Sequence, residues 1–98
     1  DMIQEIADHF AQGSKLHVIP FAERIILNGD HAGASETSFM LYLDKNLVDM
    51  TAIKDVNYED HGWSGSRDPM HASVAQGEES VHHVISHLKA EIEKVLAG

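Results

Sequence analysis

The sequence predicts an α/β fold with a mainly parallel sheet, and three observations carry that prediction. The first is an apolar stripe at the start of the chain: Ile3, Ile6, Ala7 and Phe10 recur at i, i+3, i+4 and i+7. The second is the segment directly after that stripe. A Gly13-Ser14-Lys15 turn leads into the β-prone run Leu16-His17-Val18-Ile19, which reads as the second half of a βαβ unit. The third is a glycine-bearing loop from Asn28 to Ala34, set between an apolar run and a new helical segment, where ligands bind in open parallel sheets.

The elements come in this order. A first helix is expected from Met2 to Gln12, with Gly13 in the left-handed position that ends it. Leu16 to Ile19, closed by Pro20, and Phe21 to Leu27 are the two strand candidates. A second helix is expected from Ser35 as N-cap, with Glu36 in its first turn, to about Asp44–Asn46. Thr51 to Ala75 forms an irregular stretch rich in turn formers that holds the only Trp, Trp63. A last amphipathic helix should run from Gly77 to Leu96 on the stripe Val81, Val84, Ile85, Leu88, Ile92, Val95 and Leu96. A parallel sheet needs a strand before its first helix, and Asp1 already stands at the edge of that helix. The expectation is therefore that residues 1–98 are the C-terminal part of a larger domain, cut by processing or proteolysis or expressed as a split chain.

Composition narrows the function. Seven Lys+Arg against 16 Asp+Glu give a net charge of −9, which repels phosphate backbones and anionic membrane surfaces. Nucleic acid and membrane are thus poor partners. Apolar residues at 43% suit a folded domain rather than a disordered tail. The absence of cysteine excludes disulfides, thiolate metal sites and a Cys nucleophile, and fits a cytoplasmic protein.

The densest chemical signal is Asp30-His31-Ala32-Gly33-Ala34-Ser35-Glu36-Thr37-Ser38. Free N–H groups at a helix start favour anionic or carbonyl oxygens. His31 and Glu36 could face one pocket as metal ligands or as an acid/base pair. The same residues also serve plain helix capping, with Asp30 stabilising a turn. Trp63 reads equally as a substrate lid or as a loop anchor. His61, Arg67 and His71 are weaker candidates. His83 and His87 have the i, i+4 spacing of a two-His metal face, but the H-E-x-x-H pattern is absent and both lie off the apolar stripe. They read as a solvated face, as does His82. No serine-hydrolase elbow, P-loop or dinucleotide fingerprint is present.

The segment His31-Ala32-Gly33-Ala34-Ser35-Glu36-Thr37-Ser38-Phe39-Met40-Leu41 resembles the His-Ala-Gly-x-x-Glu-Thr-Ser-x-Met-Leu signature of the creatininase (creatinine amidohydrolase) family. Downstream, Asn46-Leu47-Val48, then Ser66-Arg67-Asp68-Pro69 and Ser73-Val74-Ala75-Gln76-Gly77 come in the order of the family's Leu-Val, Gly-Asp-Pro and small-residue stretches. The resemblance spans about Leu27 to the end of the chain.

The resemblance implies a three-layer α/β/α fold and a homo-oligomer, often a hexamer. It implies two divalent metal ions per site (zinc, manganese or iron), held mostly by Glu-x-His, Asp and Gly-His motifs of an N-terminal portion that this sequence does not contain. It further implies hydrolysis of a C–N bond in a cyclic amide or formamide-type small molecule by metal-activated water. His31 then contacts substrate and protonates the leaving group. Asn28, Asp30 and His31 line the substrate, and Glu36 is a metal ligand or supports one; Trp63, read from the loop rather than from the resemblance, is the further substrate-contact candidate. Asp30 stands where creatininase itself has Glu, and Leu27 and Asn28 where it has Trp and Asp, departures that put creatinine specificity in doubt. Two other functions are open at this stage: a non-catalytic assembly subunit of that fold, and an independent acidic binding module.

Overall fold

Short-range hydrogen-bonding chemistry dictates most of the architecture. The computed structural model describes residues 2–22, 27, 29–53, 62–64 and 68–98. They form helices α1 (Met2–Ala11), α2 (Ala34–Asp44) and α3 (Val74–Ala97). Three 3-10 turns, Lys45–Leu47, Met50–Ala52 and Pro69–His71, lie between α2 and α3 in the chain. Each of these turns is opened by an aspartate whose carboxylate accepts the N–H two residues on. Asp44 takes Asn46 at 3.0 Å, Asp49 takes Thr51 at 3.0 Å and Asp68 takes Met70 at 2.8 Å. A short acidic side chain reaches its own backbone in this way and diverts it from a continuing helix.

Helix α1 ends as its sequence requires. Gln12 still donates to the Asp8 carbonyl, and Gly13 then adopts φ +76°, the left-handed conformation that costs other residues about 1 kcal/mol or more. Its apolar stripe is not covered: Ile3 and Ile6 are each 50% exposed and Phe10 78%. An open groove of ≈ 450 Å³ separates the Ile3 end of α1 from Val18 to Phe21 and from His87, Glu91 and Val95 of α3.

The core lies where α2 crosses α3, and small residues build it. Ala34 and Ser38, one turn apart on α2, are fully buried, and Gly77 on α3 is buried opposite them. A Cβ at position 77 would overlap the Ser38 carbonyl, so only glycine lets the two backbones meet. Ser73 joins the same contact. Its N–H donates to the buried Ser38 hydroxyl at 3.0 Å, and its own hydroxyl accepts from Gln76 as the α3 N-cap. That cap starts α3 at Val74, three residues before the apolar periodicity alone predicts.

Two expectations are corrected. The three-layer α/β/α fold with a parallel sheet is overturned: the chain is largely helical, and among the described residues no strand forms. The one β-type pairing is an isolated antiparallel bridge between His31 and Ser64. A β-prone sequence becomes a strand only against a partner ladder. Leu16 to Phe21 has none here, and Pro20 brings no N–H to one. Leu16 and Val18 are accordingly 70% and 47% exposed. Of the second strand candidate, residues 23–26 lie outside the described residues. The other correction is that Ser35 is not the N-cap of α2. Gly33 holds that position, without a side-chain cap of its own. The radius of gyration is 17.1 Å, against about 13 Å for a compact domain of this length. Among the described residues, no helix is long and apolar enough to cross a membrane.

Candidate functional site

The loop before α2 is held by two carboxylates acting in opposite directions. Asp30 reaches forward: its Oδ2 accepts the Ser35 N–H at 2.7 Å and its Oδ1 the Glu36 N–H at 3.0 Å. These are two of the four amides that a helix start leaves without an intrahelical acceptor. Glu36 reaches back, its Oε2 accepting the Ala32 N–H at 2.7 Å. The exchange has the logic of a capping box, with Asp30 in place of the usual N-cap side chain. Ala32 between them is held at φ +52°, in the left-handed region. Three hydrogen bonds to carboxylates, each worth roughly 1 kcal/mol or more, outweigh the ~1–2 kcal/mol of that conformation.

His31 is fixed from its other side. Its N–H donates to the Ser64 carbonyl, and the Ser64 N–H donates to the His31 carbonyl, both at 2.8 Å. Both backbone polar groups of His31 are therefore engaged, while the residue itself stays exposed. The half-buried Trp63 directly precedes Ser64, the partner of His31. Of the residues singled out from sequence, His31, Asp30, Glu36 and Trp63 thus gather around one loop. Asn28, His61 and Arg67 lie outside the described residues. His71 is exposed in the third 3-10 turn, away from the pinned loop in the chain. Beside Glu36, an apolar groove of ≈ 410 Å³ is lined by Phe21, Phe39, Met40 and Val84.

Among the described residues, no group of three or more His, Asp or Glu side chains converges as a metal centre would require. Glu36 commits one carboxylate oxygen to Ala32, and Asp30 commits both of its oxygens to backbone amides.

Sequence reasoning passed over two buried polar residues nearby. Ser38 lies inside the His-to-Leu motif and ties α2 to the start of α3. Asp68 is 8% exposed, and its Oδ1 accepts from Met70. The signal for Asp68 was present in the Asp68-Pro69 pair, since proline suits the first position of a helical turn and aspartate the cap before it. Compared with protein-family models, curated proteins and solved structures, the chain matches none.

Proposed function

We propose that this chain forms the substrate-facing wall of a metal-dependent amidohydrolase of the creatininase type. It cleaves a C–N bond in a cyclic amide or formamide-type small molecule, and His31 contacts substrate and gives its proton to the departing nitrogen. One observation carries the reading: His31 is pinned through both backbone groups by Ser64 and flanked by the Asp30–Glu36 clamp, yet remains exposed. A general acid works when it is held in place before substrate arrives, and an imidazole can both carry and give up a proton. Asp30 and Glu36 serve as positioning residues that fix the loop. Trp63 and the apolar groove beside Glu36 offer a surface for a compact ring.

Among the described residues no group fits a divalent metal pair, and in this reading its ligands come mostly from an N-terminal portion of the same protein. Burial supports such a companion. Ala34 and Pro69 are the buried apolar side chains among the described residues, a small core for a self-contained acidic binding module. The same uncovered surface also favours a second reading, a non-catalytic assembly subunit.

Metal analysis and kinetics on the complete protein separate the two. The enzyme reading expects bound divalent metal, hydrolysis of a cyclic amide, and a loss of roughly 10²–10⁴-fold in turnover for His31→Ala. A metal-free assembly, or undiminished turnover in that variant, removes it.

A further inference from the structure

Helix α3 carries Glu79, His83, His87 and Glu91 at successive intervals of four residues. Residues so spaced are neighbours on a helix surface, with Cβ atoms about 5–6 Å apart. The structure brings Glu79, His82, His83, Ser86 and His87 around one shallow concavity of ≈ 510 Å³. His87 is half-buried, and its ring lies near Phe21 with centroids 5.9 Å apart. That contact restricts the imidazole in advance, so less side-chain freedom remains to be lost on binding. Glu91, at the far end of the row, is already taken by the Lys94 ammonium at 2.7 Å. Glu79, at the near end, is exposed on the same concavity.

We propose that His83 and His87 form a two-imidazole site for a divalent transition-metal ion of the zinc, nickel or copper class. No third protein ligand converges among the described residues, so water fills the remaining coordination positions, and Glu79 lines the same concavity. Neutral imidazole favours these borderline ions over magnesium or calcium, which require oxygen ligands. The net charge of −9 concentrates cations of any kind near the surface, but only the imidazole pair selects among them. The site lies on α3, apart from the His31 loop, and stands independently of the hydrolase reading. Because both ligands come from consecutive turns of one helix, the ion binds the helical form of α3 and stabilises it against fraying.

The test is calorimetric titration of the complete protein with ZnCl2 and NiCl2, alongside its His83→Ala, His87→Ala and His82→Ala variants. The expected result is one ion per chain, beyond any that the complete protein already holds elsewhere, that is lost, or bound at least about tenfold more weakly, in each of the first two variants and retained in the third. Far-UV circular dichroism of the variants checks that α3 is intact. Excess MgCl2 should not displace the ion. Unchanged stoichiometry and affinity in His83→Ala, equal weakening by His82→Ala, or displacement by magnesium would each overturn the site.

Discussion

Gly77 sits against the main-chain carbonyl of Ser38, so close that position 77 has no room for a Cβ. The principal helix crossing of the chain depends on this contact. Substituting Gly77→Ala must push α3 away from α2, at a cost of roughly 1–3 kcal/mol or more, as overpacking does. Gly62, with nothing within 4 Å of its would-be Cβ, is the control and should tolerate alanine. Gly13 also has open space, but its φ of +76° makes Gly13→Ala cost about 1–2 kcal/mol through the backbone alone. Urea denaturation of the three variants should rank them Gly77, Gly13, Gly62, from most to least destabilised. A Gly77→Ala midpoint no lower than that of Gly62→Ala would show that the two backbones do not meet there.

The Ser38 hydroxyl accepts the Ser73 N–H from 35 residues away. Ser38→Ala leaves that amide without its acceptor at the helix crossing, at a cost of roughly 1–3 kcal/mol. Ser73→Ala removes the α3 cap instead, costing ~0.5–2 kcal/mol. Amide hydrogen exchange distinguishes them: Ser38→Ala should speed exchange at Ser73, and Ser73→Ala at Gln76. Exchange unchanged at both amides would contradict this arrangement.

The loop clamp makes a different prediction. Asp30→Ala exposes the amides of Ser35 and Glu36 together and should cost ~0.5–2 kcal/mol. Glu36→Gln keeps an acceptor for Ala32 and should cost much less, whereas Glu36→Ala frees Ala32 from its left-handed conformation. Proton chemical shifts of the Ala32 and Ser35 amides provide the measurement. Large shifts in Glu36→Gln with none in Asp30→Ala would reverse the assignment.

Asp49 should titrate below an ordinary aspartate. The Thr51 hydroxyl, donating at 2.6 Å, lowers its pKa most, and the Thr51 N–H adds to the effect. A carboxyl whose folded pKa is depressed contributes stability that is fully present above its unfolded pKa and lost as pH falls through the folded value. Thr51→Val keeps the backbone donor and removes the hydroxyl, so carbon-detected NMR titration should show the Asp49 pKa rising toward the ordinary range. An unmoved midpoint would mean that the hydroxyl contributes nothing.

How much of the fold and the site is legible in the sequence divides by distance along the chain. The end of α1 at Gly13, the helical run after the glycine loop and the amphipathic α3 are all readable, because each depends on groups within a few residues. The importance of Asp30 and Glu36 is readable too, although the cap acts from Asp30 and not from Ser35. The parallel sheet is misread because β-propensity reports only that a segment fits a pleated surface, and Leu16 to Ile19 meets no such surface among the described residues. The small-residue core is also hidden. Ala34, Ser38 and Gly77 have no hydrophobic periodicity to announce them, and several larger apolar side chains, among them Phe10 on α1 and Ile85 and Leu96 on α3, stay in solvent.

By itself, then, the sequence determined that three helical segments form, that the first stops at Gly13, and that His31 sits in a glycine-bearing loop before a helix. Those outcomes arise from side chains reaching backbone groups two to six residues away. Tertiary structure alone decided that Ser64 would pair with His31, that Ser73 would find Ser38, and that Gly77 would let α3 meet α2. Such contacts join segments some 33 to 39 positions apart, and their stability comes from removing matched polar groups from water and from close backbone approach, which no local pattern records.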